Sequence, residues 1–187
     1  MSRGTLFVLD GASASGKTTL ALALLKANPE LILVPRYTTR GARAAESDNI
    51  EYIFVTPEQF RKMADENAFL EHRSYQFGMS YGLPRKEVDA ILDTGESAIA
   101  IADLGRARKL KAQCPDAVTI LIDVPPEILR KRLIARGTNT SAQIAERLAN
   151  ARTIARGDYD HVVENKNDLG DTLRALQKII DDRLNAT

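Results

Sequence analysis

The chain has a single cysteine, Cys114, among its 187 residues. No intrachain disulfide can form, and a zinc site built on cysteines is excluded. A reducing compartment fits that scarcity. Histidine is nearly as scarce: His72 and His161 are the only two, and neither has a metal-ligand partner at useful spacing. Long apolar runs are missing as well. None approaches a membrane span. The first run, near the N-terminus, covers about six residues, too few for the apolar segment of a secretory leader. Charge of one sign is also lacking: 26 Lys and Arg stand against 25 Asp and Glu, for a formal net charge of +1. No global field is available to hold nucleic acid. Repeats, low-complexity segments and linkers are absent. The expectation is a cytoplasmic protein that binds neither nucleic acid nor membrane, with a homodimer left open.

What is present is of ordinary globular composition, 44% apolar and 27% charged. The length suits one domain, or one domain with a small insertion. The organising stretch is Gly11-Ala12-Ser13-Ala14-Ser15-Gly16-Lys17-Thr18. It follows the apolar run Thr5–Leu9, which reads as a buried strand, and precedes Thr19–Lys26, rich in helix formers. Strand, glycine-rich turn and helix give the pattern G-x-x-x-x-G-K-[ST] the context of a phosphate-binding loop. Gly11 and Gly16 let the backbone curl so that successive N–H groups face phosphate oxygens. The helix N-terminus adds partial positive charge. Lys17 reaches β- and γ-phosphates, and the Thr18 hydroxyl ligates Mg2+. The cofactors expected are therefore ATP and Mg2+.

Downstream, apolar runs alternate with helical patterns. Leu31–Val34, Ser97–Ala102 and Val118–Ile122 read as parallel strands, His161–Glu164 as a last short strand, and Tyr52–Val55 as a strand of its own. Helices are expected from Pro57 to about Asn67 with Thr56 as cap, from Arg85 to Asp93, from Glu127 to Ala135, from Ser141 (as cap) to about Arg156, and from Leu169 to Leu184. The fold class expected is α/β, a parallel sheet with helices on both faces. Residues 36–82 read as a lobe inserted into a core formed by 1–35 and 83–187. In such sheets ligands gather at the carboxyl ends of the strands. Asp103 closes one apolar strand, where an acid would hold Mg2+. Asp10 and Asp123 have weaker claims to that task and read rather as turn and strand-end residues.

Two cationic sets complete the pattern. Arg130, Arg132, Arg136 and Arg147 flank the polar turn Gly137–Thr140 and suit a lid, at about residues 130–156, that closes on the triphosphate. Arg36, Arg40 and Arg43 with Tyr52 match recognition of a phosphate monoester on a small acceptor, with Glu71 and Tyr81 touching the rest of that molecule.

These motifs together resemble the guanylate-kinase-like branch of the P-loop small-molecule kinases. The resemblance runs over roughly residues 4–184 and rests on the phosphate loop, Thr38-Thr39-Arg40 with Arg43, Tyr52–Val55, Phe69-Leu70-Glu71, Tyr81-Gly82, Arg132–Thr138, Arg147-Leu148 and Asn165. It implies a three-layer P-loop NTPase fold with an acceptor-binding lobe and a helical lid. By the same resemblance Arg40, Arg43, Tyr52 and Tyr81 would hold the acceptor phosphate, Arg132, Arg136 and Arg147 the transferring phosphates, and Asn165 would lie near adenine. Gly11 to Thr19 would form the ATP phosphate site. Three positions depart from the guanylate kinase pattern: Arg36 for a usual Ser, Leu83 for Ser or Thr, and Ile101 for Asp. The segments Arg36–Arg40 and Gly78–Pro84 look more like ribose 1,5-bisphosphate phosphokinases. The Ile101–Leu104 segment does not, and Tyr52–Phe54 leans back toward guanylate kinase. The expected function is ATP-dependent transfer to a phosphate of a small acceptor. Ribose 1,5-bisphosphate, giving phosphoribosyl pyrophosphate, ranks first, GMP second, and a non-catalytic binding module last.

Overall fold

A computed structural model describes residues 2–41, 51–75, 78–137, 139–166 and 168–186. The chain begins β1 (Leu6–Gly11), α1 (Lys17–Ala27), β2 (Ile32–Leu33), β3 (Arg36–Thr38), β4 (Tyr52–Phe54) and α2 (Pro57–Asp65). It continues β5 (Phe69–Ser74), β6 (Ser80–Pro84), α3 (Arg85–Asp93), β7 (Ala98–Ile101) and α4 (Ala107–Gln113). It closes with β8 (Val118–Asp123), α5 (Pro126–Ala135), α6 (Ser141–Arg152), a 3-10 turn (Arg156–Asp158), β9 (His161–Glu164) and α7 (Leu169–Leu184).

Two sheets result. The first is wholly parallel, in the order β2-β7-β1-β8-β9. Alternate residues of β1 face opposite sides, as strand periodicity requires. Phe7 and Leu9 pack with Leu20, Leu24, Leu176 and Ile180 of α1 and α7. Leu6 and Val8 pack with Val88, Leu92 and Leu110 of α3 and α4. Burial on both faces explains why these strands read as continuous apolar runs. This is the α/β fold expected, with helices on both sides of a parallel sheet.

The second sheet is mixed, in the order β4-β3-β6-β5. β3 pairs parallel with β4, setting Arg36 beside Tyr52, and antiparallel with β6. The short strand β3 falls in what the sequence presents as a polar, basic stretch. Central position in the sheet, between two partners, overrides that composition.

Helix ends follow local chemistry. Thr56 caps α2, its hydroxyl accepting from Gln59 N while the Gln59 side chain accepts from Thr56 N, and Pro57 follows at the first helical position. The cap of α6 is Thr140 rather than Ser141, and Gln143 completes the same reciprocal box. The helix also stops at Arg152, short of the expected Arg156. The seven-residue α4 is not legible in the sequence, and no side chain caps it. Its N-terminus is instead held by a distant carboxylate, described below. Among the described residues, no helix is long and apolar enough to cross a membrane.

Candidate active site

The phosphate loop leaves the end of β1 and enters α1. Two features of its backbone need small residues. Gly16 sits at φ 96°, and a Cβ there would meet Asn165 Nδ2 at 2.7 Å. At Gly11 a Cβ would fall 2.7 Å from the Ile122 carbonyl oxygen of the neighbouring strand. Ala14 adopts φ 66°, a second left-handed position within the loop. Alternation of right- and left-handed residues is the geometry that turns backbone N–H groups inward into an anion nest.

Lys17 folds back over this loop. Its ammonium donates to the carbonyl oxygens of Gly11, at 2.6 Å, and Ala12, at 2.9 Å. Burial pushes its pKa down, and the carboxylates of Asp103 and Asp10 oppose that shift. The Thr18 hydroxyl donates to Glu51 Oε2 at 3.1 Å. Asn165 braces the loop from behind: its Nδ2 donates to the Ser15 carbonyl at 2.7 Å, and it is only 4% exposed. Thr19 lies exposed in the first turn of α1 and Ser13 half-buried in the loop. Arg132, on α5, spans the loop and the chain after β9. It donates to Lys166 O at 2.7 Å and makes longer contacts, at 3.4 Å, with the carbonyls of Ser15 and Asn165. Arg136 follows at the helix end, near enough to Lys17 to help lower its pKa. Arg147 lies half-exposed on α6, while Ile144, Leu148 and Ala151 of that helix pack toward Ala12, Leu129 and Leu133.

The second cluster lies on the mixed sheet. Arg36 is 3% exposed and donates to Glu71 Oε1 at 2.7 Å. Its other terminal nitrogen lies 3.4 Å from Asp103 Oδ2. Tyr81 packs beneath the guanidinium, 5.5 Å from the ring centre. Tyr52 meets Tyr81 edge-on, and Arg40 lies over Tyr52 at 5.1 Å. The sheet thus brings together Arg36, Arg40, Tyr52, Glu71 and Tyr81. Arg43 lies outside the described residues.

Arg36 is placed differently from its expected task. It faces two carboxylates in a buried ion cluster instead of standing open to a phosphate monoester. Burial works to lower its pKa, but Asp103 and Glu71 raise it above the ordinary value. For Glu71 burial pushes the carboxyl up and Arg36 opposes it. For Asp103 burial also pushes up, but Arg36, Lys17 and a hydrogen bond from Tyr75 hold the carboxyl below its usual range. Among the described residues, Glu71 Oε2, Arg36 Nε and the nearby Arg106 Nε lack hydrogen-bond partners, and Asp103 Oδ2 has only the long Arg36 contact.

The other candidate acids have partners, although Asp10 Oδ1 has none among the described residues. Asp10 is wholly buried, and its Oδ2 accepts from Arg106 N at 2.9 Å, just ahead of α4. The Tyr159 hydroxyl donates to Asp10 and accepts from Gly105 N at 3.2 Å. Burial pushes the Asp10 carboxyl up. Asp123 pairs with Arg156 at 2.5 Å. Among the described residues no group of three or more His, Cys, Asp or Glu could hold a metal unaided. A hydroxyl and a carboxylate in contact at Thr18 are nonetheless hard oxygen donors. They fit Mg2+, which takes one or two protein ligands beside substrate phosphates.

Residues 3–183 match the guanylate kinase family. The chain belongs to that family. A guanylate kinase from Rubrobacter xylanophilus is 38% identical over 184 residues, covering 97% of this chain and 94% of its own. One from Synechococcus sp. (strain JA-3-3Ab) is 36% identical over 182 residues, covering 96% and 83%. Among solved structures, the guanylate kinase of Anaplasma phagocytophilum superposes with a TM-score of 0.75 at 27% identity, covering 98% of this chain and 87% of that one. A shikimate kinase from Bacteroides thetaiotaomicron, at 12% identity and a TM-score of 0.50, shares the fold. The architecture is that of a P-loop NTPase of the guanylate kinase family. None of these relatives bears the name ribose 1,5-bisphosphate phosphokinase, so that part of the resemblance gains no support from them.

Within this family member, sequence reasoning missed two residues of the site. Tyr75, just past β5, hydrogen-bonds Asp103 and meets Tyr81 edge-on, with Arg73 over its ring at 4.5 Å. Glu51 touches Thr18 across a gap of 33 residues. Neither sits in a contiguous motif. An odd tyrosine just past a strand and an acid just before Tyr52 were the only signals available.

Proposed function

We propose that this chain is an ATP-dependent nucleoside monophosphate kinase whose acceptor is GMP. Family membership supports the reaction class. The observation that carries the acceptor is Glu71 Oε2, a buried carboxylate oxygen with no hydrogen-bond partner among the described residues, with Asp103 Oδ2 beside the cluster in only a long contact with Arg36. Buried acceptors left unmatched are costly, so the site favours a ligand that brings N–H groups to them. The N1–H and 2-amino groups of guanine do so. Two carboxylates against one guanidinium also leave no surplus positive charge in the ion-paired cluster, which disfavours a second phosphate there.

In this reading the mixed sheet forms the acceptor lobe, and α5 with α6 the lid. Arg40, Tyr52 and Tyr81 hold the acceptor phosphate. An oxygen of that phosphate attacks the γ-phosphorus in line. The new P–O bond forms as the bond to the β–γ bridging oxygen breaks, and ADP leaves. The acceptor is largely ionised at neutral pH, so no general base is needed. Lys17 exchanges the carbonyls of Gly11 and Ala12 for phosphate oxygens, and Arg132, Arg136 and Arg147 spread charge over the transferring group. Mg2+ would be held at Thr18, where it neutralises phosphate charge when bound.

A second reading keeps ribose 1,5-bisphosphate as acceptor. Arg106 favours it: its guanidinium lies near enough to Glu71 to oppose the upward push of burial on that carboxyl, and among the described residues its Nε has no hydrogen-bond partner. A second phosphate could use that cation. Phosphorus NMR of the protein with Mg-ATP and, separately, GMP, AMP and ribose 1,5-bisphosphate separates the two. GDP signals from GMP alone uphold the first reading. A new diphosphate signal from the sugar bisphosphate alone replaces it with the second.

A further inference from the structure

The acids at the strand ends already have partners of their own. Asp10 is enclosed and bonded to Arg106 N and Tyr159. Asp103 is held by Arg36 and Tyr75. Asp123 is paired with Arg156. Glu51 has further interactions too, and one of its neighbours is a hydroxyl. Its Oε2 lies 3.1 Å from Thr18 Oγ1, on the residue that follows Lys17 at the start of α1. Two cis ligands of an octahedral Mg2+, each about 2.1 Å from the ion, stand about 3.0 Å apart. The two oxygens are therefore already spaced as one edge of such an octahedron. The backbone holds them there, since Arg36 N donates to the Glu51 carbonyl at 2.9 Å and β3 pairs with β4 immediately after.

We propose that Glu51 is the carboxylate that ligates Mg2+ together with Thr18. Glu51 stands just before β4 of the mixed sheet, and Thr18 lies in α1, which packs on the parallel sheet. A cation shared between them would tie the acceptor side of the site to the phosphate loop, so that nucleotide loading and approach of the acceptor become one event. The inference rests on the ATP reading above but not on which acceptor is used.

The test is Mn2+ affinity, followed by electron paramagnetic resonance, for the protein saturated with a non-hydrolysable ATP analogue. Glu51→Gln should weaken Mn2+ binding by ~10–100-fold. Its melting temperature and its metal-free affinity for the analogue should stay near wild type. Glu51→Asp, which keeps the charge but shortens the reach, should fall between. Thr18→Ala should lose affinity as Glu51→Gln does, and Asp103→Asn should lose little. Wild-type Mn2+ affinity in Glu51→Gln overturns the proposal, and loss in Asp103→Asn alone transfers the task to Asp103. A drop in metal-free analogue affinity equal to the drop in Mn2+ affinity overturns it too, because Glu51 would then only hold the two halves together. If the wild-type chain binds neither analogue nor Mn2+, the ATP reading fails, and this inference with it.

Discussion

Around the parallel sheet, Phe7, Val8, Leu20, Ile99 and Ile120 are fully buried, and charge is kept to the strand ends and the loop beyond them. On the mixed sheet, Arg36 and Glu71 are buried as deeply as Phe60, Phe69 and Leu83. The first region obtains its stability from apolar packing and holds a phosphate loop as a terminal feature. The second buries an ion cluster in its middle, at a desolvation cost that hydrophobic residues of the same size would avoid. Such a cluster is poor value for stability and suited to recognition. On the proposed reading, the difference teaches where each half's specificity resides: backbone geometry in one, a buried carboxylate in the other.

The contrast can be broken in four places. The largest effect belongs to the loop. Lys17→Ala should lower turnover by ~10²–10³-fold, as when one transition-state charge partner is lost, with the melting temperature little changed. Near-normal steady-state rates would remove the phosphate-loop assignment. Next is the ion cluster. Arg36→Met strands Glu71 and Asp103 without their cation and should cost about 3–5 kcal/mol in denaturant unfolding. Adding Glu71→Leu should recover part of that loss while abolishing acceptor binding. If the double variant is less stable than the single, the cluster is structural after all. Asn165→Ala should cost about 1–3 kcal/mol, because the Ser15 carbonyl loses its buried donor. It should raise the KM for ATP more than that for the acceptor, and the reverse order would place Asn165 on the acceptor side.

The smallest effect tests the parallel region alone. Asp160 accepts from Thr119 N at 2.8 Å, from the Thr119 hydroxyl at 2.9 Å and from Lys111 at 2.9 Å, joining β8 to the start of β9. Burial would raise its carboxyl, but the Thr119 N–H and Lys111 hold it below the ordinary value. A depressed folded pKa gives stability that is present above about pH 4 and lost as pH falls through the folded value. Asp160→Asn should therefore cost ~1 kcal/mol or less at neutral pH, given its partial exposure, and the difference should vanish in acid. A difference that grows in acid would contradict the assignment.

The two halves were also unequally legible. The phosphate loop is one contiguous string between an apolar run and a helix, so residues 11–18 declared their chemistry unaided. The parallel strands announced themselves because both faces are buried. The buried ion cluster gave no such contiguous signal. Arg36, Glu71, Tyr75 and Asp103 come from separate strands and turns, and only the pairing of β3 with β4 and β6, and of β6 with β5, brings them together. Arg36 consequently read as a phosphate-binding cation, when its partners are two carboxylates. The short helix α4 escaped for a similar reason: Asp10, 96 residues away, holds its start, so no local capping signal exists.

The central claim is that a buried carboxylate chooses the acceptor. The most direct measurement compares kcat/KM for GMP and IMP, which differ only in the 2-amino group. A site built to accept from that group should prefer GMP by at least ~10²-fold, and Glu71→Gln should shrink the preference. Equal kcat/KM for the two nucleotides would contradict the account.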